Sequence, residues 1–354
     1  GRQAEYETAL DFYRQAAERY VDPQPAAVAW NNMGDIYLKL GDYGQASQVY
    51  ERATQLDPDY AWAYHNLGTA YFRLGDDSQA AANYRLALER HRRDEDAAVT
   101  WQALADTQRR LGDAAAALKA YQEAAARGAD NPELWIFTGE MQFQLERFAD
   151  ASPAYQQAIK QAPNDARPYD GLGQIAAGRQ RFEVAADWFE QAIERYTYDQ
   201  PKSRAYNRLG EARLALDQLS EAALAFRQAI ALDPQPAEPY ASLGGIHARR
   251  AEYDTAATYY RQALKRLADP DALGRTWTGL GQALHALNRL EPAAEAYQQA
   301  GRFDPTLVAP WIGLGDIFRV QAKAAEAKAA YQQAIDLDDS DPRPFYGRGL
   351  ILEA

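Results

Sequence analysis

An alanine returns at nearly constant spacing along this sequence, and this periodicity limits the fold more than any other feature. Successive alanines are 34 or 37 residues apart. An aromatic residue stands three positions before each of them, and a further alanine stands four positions before that aromatic. In an α-helix these three positions share one face. The pattern predicts repeated helices that pack closely around a ring. The repeated alanines are Ala16, Ala53, Ala87, Ala124, Ala158, Ala192, Ala229, Ala263, Ala300 and Ala334.

A second pattern precedes the first one in each cycle. An aromatic residue such as Trp30 or Tyr64 is followed four positions later by a small residue, which is glycine in nine of ten cycles and Ala105 in the other. Glycine inside a helix costs about 1 kcal/mol relative to alanine. The glycines therefore predict positions where a neighbouring backbone needs the room.

These two patterns together resemble the tetratricopeptide repeat (TPR), a 34-residue helix–turn–helix unit. The first full cycle carries the residues of that motif, which are Trp30, Met33, Gly34, Tyr37, Ala46, Tyr50, Ala53 and Pro58. The resemblance covers the whole chain. It implies an all-α fold of antiparallel helix pairs stacked as a right-handed superhelix, with the first helix of each pair lining a concave groove.

The repeat divides the chain into nine full units between two half units. The predicted boundaries are 1–26 (a second helix alone), 27–60, 61–97, 98–131, 132–165, 166–202, 203–236, 237–273, 274–307, 308–341 and 342–354 (a first helix alone). The order of short and long units restarts after 176 residues, which suggests a duplicated five-repeat block. Three added residues are nearly one helical turn, so we expect longer second helices in the 37-residue units. These are either neutral length variants or an edge that touches another protein. Pro153 is expected to delay or kink its helix.

The two half units carry complementary faces. Joined tail to head, they would complete a repeat through Tyr6, Ala9, Tyr13 and Ala16 at one end and Phe345, Gly349 and Leu352 at the other. Two interpretations compete. The chain is a piece of a longer array, or copies stack into filaments, because a head-to-tail contact that does not close makes open assemblies.

Composition argues against several classes of function. The net charge of −12 disfavours nucleic acid as a ligand. The sequence has no cysteine, and its four histidines, His65, His91, His247 and His285, have no recurring metal-ligand spacing. Catalytic and phosphate-binding motifs are missing. We therefore expect no enzyme activity, no cofactor and no metal site. No apolar run has the roughly 18 residues of a membrane span, and a signal peptide is predicted to be absent or removed.

The resemblance places candidate partner-binding residues on the concave face. They are Asn31, Asp35, Asn66, Asp106, Glu140, Arg204, Arg208, Glu211 and Asp316. The ninth position of the repeat is acidic in five of nine units, which favours a basic or amide-rich partner segment. The alternative is a solvated face offset by Arg110, Arg208 and Arg319. The carboxylate clamp of TPR co-chaperones is disfavoured, because Ile136, Glu140 and Gly171 stand where it needs Lys and Asn.

The aromatic residues in the repeat register are interpreted as packing residues. Trp62 and Trp188 lie outside that register and are the better candidates for surface contact. The excess of arginine over lysine and the many alanines suggest a GC-rich, bacterial genome. The sequence as a whole predicts a non-catalytic scaffold that binds a protein or peptide segment. The alternative is a structural subunit that assembles head to tail.

Overall fold

The computed structural model describes residues 2–353, and this part of the chain consists of α-helices joined by short turns, without a strand. The chain forms two compact units, unit 1 (residues 1–175) and unit 2 (residues 176–354). The predicted all-α class is confirmed. No helix within residues 2–353 has both the length and the apolar character needed to cross a membrane.

Unit 1 contains nine complete helices. They are α1 (Arg2–Arg19), α2 (Pro23–Leu40), α3 (Tyr43–Leu56), α4 (Ala61–Leu74), α5 (Asp77–Arg90), α6 (Asp94–Arg110), α7 (Ala114–Ala126), α8 (Pro132–Gln144) and α9 (Phe148–Gln161). Helix α10 (Arg167–Gly178) contains the boundary between the units.

Unit 2 contains the ten remaining helices. They are α11 (Phe182–Arg195), α12 (Asp199–Ala215), α13 (Leu219–Leu232), α14 (Glu238–Arg249), α15 (Tyr253–Leu264), α16 (Pro270–Ala286), α17 (Leu290–Phe303), α18 (Val308–Val320), α19 (Ala324–Leu337) and α20 (Pro342–Glu353).

Packing within each unit is between neighbours in the chain. Consecutive helices contact one another, and because the turns between them are short they run antiparallel. The first helices are the even-numbered ones, and several of them also contact the next first helix, as α2, α4 and α6 do in unit 1 and α14, α16, α18 and α20 do in unit 2. The first helices therefore share one side of each unit, which we call the first-helix face.

The core is built from the aromatic rings of the second helices. Tyr50 and Tyr121 are fully buried among alanine and leucine side chains. A Cβ placed on Gly34 would lie 2.5 Å from Cζ of Tyr50. The glycine of the repeat thus leaves room chiefly for a ring, whereas the sequence predicted a neighbouring backbone. At Gly68 a backbone oxygen, that of Ala80, also lies 3.2 Å from the added Cβ.

The three residues added in each 37-residue unit lengthen the first helix of the unit that follows, not the second helix of their own unit as expected. Helices α2, α6, α12 and α16 have 17 or 18 residues, whereas the other first helices have 12 to 14. Asp22 and Asp269 cap α2 and α16, and a proline follows each of them at the first helical position. Proline is preorganised for that position, so the added residues join the helix that follows.

Turn chemistry differs along the chain. The turns after α2, α4 and α6 contain glycines with a φ of 78° to 86°. Later turns hold other residues in the same left-handed region, including Asp217 and Ala322. Pro153 lies inside α9, which begins at Phe148, so the expected delay of that helix does not occur.

Candidate functional site

A hydrogen-bonded group on α2 and α4 brings together three of the predicted groove residues. Nδ2 of Asn66 donates to Oδ1 of Asn31 at 2.9 Å and to Oδ1 of Asp35 at 3.3 Å. Asn31 is buried, whereas Asn66 and Asp35 are half-buried. The first-helix face of unit 1 therefore carries a fixed polar group whose geometry is set before a partner arrives.

The aspartates at the ninth position of the repeat have a structural partner that the sequence interpretation missed. Each accepts a hydrogen bond from the core tyrosine that lies 15 residues later on the second helix. The pairs are Tyr50 and Asp35 (2.6 Å), Tyr121 and Asp106 (2.5 Å), and Tyr331 and Asp316 (2.7 Å). These carboxylates thus accept hydrogen bonds from buried phenol groups. Neither interpretation of the ninth position, a partner-binding groove or a solvated face, included this role.

An open cleft of about 320 Å³ lies on the first-helix face of unit 1. Helices α2, α4 and α6 supply most of its wall, and the tyrosine of α5 forms part of the floor. The lining residues are Leu38, Thr69, Phe72, Arg73, Tyr84, Ala103 and Asp106. Its surface combines apolar side chains with a few polar groups, which is the usual character of a site that holds a side chain of a partner.

Charged residues continue this face onto α8. Burial raises the pKa of the half-buried Glu140, while the nearby guanidinium groups of Arg109 and Arg167 lower it. Arg109 also stacks over the ring of Phe137, with Cζ 4.1 Å from the ring centroid. Burial likewise raises the pKa of Asp106. The carboxylates of this face are therefore partly desolvated, and an added cation would relieve that cost.

Unit 2 places Arg204, Arg208 and Glu211 together. All three lie on α12 and line one cleft of about 650 Å³. Between them, Nδ2 of Asn207 donates to Oε1 of Glu211 at 2.8 Å. Asp316 lies elsewhere, on α18, and it is bonded to Tyr331. Within unit 2 the predicted groove residues therefore fall into two separate groups, one on α12 and one on α18.

Sequence profiles of the tetratricopeptide repeat match most of the chain. The matched residues are 34–75, 59–127, 103–166, 142–200, 203–236, 243–307 and 309–341. The chain is a tetratricopeptide repeat protein. No curated protein matches its sequence.

One solved structure agrees with this TPR assignment at the level of the fold, and two others show a weaker likeness. A chain of the APC/C hetero-tetramer Cut9–Hcn1 superposes with a TM-score of 0.52 and 13% identity, over 99% of this chain and 81% of its own. YrrB, described as a TPR protein with an unusual peptide-binding site, gives 0.49 and 18% over 56% and 99%. Yeast Tom70 gives 0.43 and 15% over 99% and 92%. The Cut9–Hcn1 likeness supports the TPR fold alone.

The terminal helices of the TPR array bury part of the predicted assembly faces. Tyr6, Ala9 and Tyr13 pack around a core that includes Met33 and Ile36 of α2, and Ala16 is half-buried. On α20, Phe345 and Leu352 are exposed, and a Cβ on Gly349 would meet nothing within 4 Å. End-to-end assembly through these residues stays a prediction.

Two histidines of the TPR array meet at one buried hydroxyl group. Nδ1 of His65 and Nε2 of His91 each lie 2.9 Å from Oγ1 of Thr100. Trp62 packs edge-on against both imidazoles, with centroids 5.0 and 5.2 Å away. Trp188 is half-buried against the core of α11 and α12. Both tryptophans therefore pack within the protein, although the sequence favoured surface contacts for them.

The histidine pair predicts a pH dependence of stability. Burial, with a smaller effect of His91, lowers the pKa of His65 from 6.5 to about 4. Between these values the unfolded chain binds a proton that the folded chain does not. The stability that the neutral imidazole contributes is thus present above pH 6.5 and is lost as the pH falls towards 4. As the pH falls through this range, we expect the free energy of unfolding to drop by about 3 kcal/mol more in the unchanged protein than in the variant His65→Asn.

Urea titrations of both proteins at pH 7.5, 6, 5 and 4.2, followed by circular dichroism, measure this difference. Asp106 and Glu140 have raised pKa values and act in the opposite direction, but they are common to both proteins and cancel. If the free energy of unfolding changed with pH equally in the two proteins, His65 would not be a buried group that titrates in this range.

Proposed function

We propose that this TPR protein is a non-catalytic scaffold whose unit 1 binds an extended segment of a partner protein on its first-helix face. TPR arrays are protein-interaction scaffolds, and the family and the fold of this chain support that general role. The observation that carries the specific proposal is the 320 Å³ cleft. Leu38, Phe72 and Ala103 would hold an apolar side chain of the segment there.

The polar groups around this cleft support a partner of basic character. Asp35 and Asp106 are half-buried carboxylates on the same face, and Glu140 continues the row. A Lys or Arg next to the apolar anchor would pair with them, and the acidic charge of the whole chain would steer a basic segment towards the protein. Because the tyrosine bonds fix two of these carboxylates, the segment would dock without large rearrangement.

Blocking the cleft tests this proposal. Peptides selected from a random phage-displayed 12-residue library on the full chain are expected to carry an apolar residue beside a basic one. The variant Ala103→Arg fills the cleft with a long side chain, and we expect it to weaken the selected peptides at least tenfold in fluorescence polarisation. Ala115→Arg introduces the same charge at an exposed position of α7 and serves as the matched control. Equal binding by both variants would reject the cleft as the site.

Head-to-tail assembly is the second proposal. It draws support from α20, where Phe345 and Leu352 expose 48% and 76% of their surface. Sedimentation velocity over a concentration series of the full chain would show growing species if copies stack. A single monomeric species at every concentration would reject this alternative.

A further inference from the structure

The alternation of helix lengths cuts a notch into each unit. A long first helix lies on either side of a shorter one, as α2 and α6 do around α4 and as α12 and α16 do around α14. The three added residues extend each flanking helix by about 4.5 Å at its start. We call the space beside the start of the middle helix, next to these longer helices, the notch of the unit.

The contacts at the two notches correspond residue by residue. In unit 1, Nε of Arg90 donates to the carbonyl of Pro58 at 2.6 Å, and the guanidinium stacks over Tyr64 at 4.4 Å. In unit 2, Arg266 makes the same bond to Pro234 at 2.8 Å and stacks over Tyr240 at 4.2 Å. Each residue lies 176 positions after its counterpart, so the two notches can be compared directly.

The notch of unit 1 is filled by an aromatic side chain of the protein itself. Trp62, at the start of α4, packs against His91, which follows α5 directly. In unit 2 the corresponding residues are Glu238 and Leu267. Glu238 is exposed, and both residues line the open cleft of about 650 Å³. The two notches are therefore built from corresponding residues, but only the notch of unit 1 contains an indole side chain.

The open notch has the chemistry of an aromatic site. Ala237, Pro239 and Leu267 are apolar residues of the cleft lining. Arg204 stands at its wall, is exposed, and makes no hydrogen bond or ion pair within the described part of the chain. A guanidinium in that position can stack on a ring, and aromatic anchors in such pockets dominate many protein interfaces.

We propose that the notch of unit 2 binds an aromatic side chain, an indole or a phenol, of a partner protein, in the place that Trp62 occupies in unit 1. This site goes beyond the proposed function, because it lies on other helices and takes a different side chain from the cleft of unit 1. A partner could engage either site alone.

A substitution that places a tryptophan of the protein itself in the notch of unit 2 tests the proposal. The probe is N-acetyltryptophanamide, observed by saturation-transfer difference NMR on the full chain. Glu238→Trp reproduces the residue of unit 1, and we expect it to reduce the transfer at least threefold. Glu221→Trp adds the same residue at an exposed position of α13 and is expected to leave the signal unchanged. N-acetylleucinamide is expected to give at most a third of the transfer.

Two results would overturn the proposal. One is equal transfer in Glu238→Trp and in the unchanged protein, and the other is equal transfer from the leucine and tryptophan amides. If Glu238→Trp fails to fold by circular dichroism, Ala268→Trp on another wall of the cleft blocks the same space. Ala103→Arg is expected to leave the tryptophanamide signal unchanged, so failure of the unit 1 proposal is distinguishable from failure of this one.

Discussion

Replacing Tyr50 with alanine is expected to lower the free energy of unfolding by about 3–5 kcal/mol, as large-to-small changes of buried aromatic residues do. The ring is fully buried, and it fills the space above Gly34. Its loss opens a cavity between α2 and α3. It also leaves Asp35 without the phenol that donates to it at 2.6 Å. Urea denaturation of the full chain, followed by circular dichroism, measures the change.

Two further variants separate packing from hydrogen bonding at Tyr50. Tyr50→Phe keeps the ring and removes only the bond to Asp35, so we expect a loss of about 1–2 kcal/mol. Tyr346→Ala, at a position that is 72% exposed, is expected to change stability by less than about 0.5 kcal/mol. A similar effect of Tyr50→Ala and Tyr346→Ala would contradict the packing described for the ring.

Gly313→Val is expected to destabilise unit 2 by about 3 kcal/mol, at the upper end of the usual cost of overpacking. A Cβ on Gly281 would lie 2.6 Å from Cδ1 of Tyr297, and a Cβ on Gly313 would fall closer still to the opposite edge of that ring. The two glycines hold the ring between them, so it cannot shift away from an added side chain. Thermal and urea unfolding of the purified variant test this expectation.

Gly349→Val is the matched control for Gly313→Val. Gly349 also lies within a first helix, yet its added Cβ would meet nothing within 4 Å. Helix propensity alone then applies, and valine is slightly better than glycine in a helix. We expect stability within about 0.5 kcal/mol of the unchanged protein. An equal loss of stability in both variants would show that the helix itself requires glycine and that close contact with the Tyr297 ring does not cause the loss.

The sequence could predict the helix pairs because their signals are local. The spacing of Ala46, Tyr50 and Ala53 defines one helical face without reference to the rest of the chain. The same reasoning identified Gly34 as a close-packed position but assigned the space to a neighbouring backbone, whereas the ring of Tyr50 fills it. What fills the space depends on how a ring on the next helix is oriented, which is a tertiary property.

The sequence analysis assigned the three added residues of the 37-residue units to the wrong helix for a different reason. Their length was visible in the sequence, but length alone does not say which helix gains a turn. Asp22–Pro23 and Asp269–Pro270 were the available signals, because an aspartate followed by proline is a strong start to a helix. Weighing these caps would have assigned the added turn to α2 and α16.

The candidate sites were predictable only in part. The resemblance to the TPR family implied that Asn31 and Asn66 share one face, and the structure joins them by a hydrogen bond. The bond between Asp106 and Tyr121 spans two helices and 15 residues, so composition at the ninth position alone could not reveal it. The open notch could not be predicted, because it depends on where each helix begins as well as on the difference between Glu238 and Trp62.

Packing between chain neighbours has a consequence for how the protein folds. Contacts between consecutive helices have low contact order, which favours rapid folding. Structure can begin in any adjacent pair of helices and grow outward, since each pair depends only on those beside it. Under mild denaturant, the free energy of local unfolding is then expected to differ from one helix pair to the next along the chain. Hydrogen exchange would report a profile of local protection, and a change in one pair would be felt mainly by the pairs that flank it.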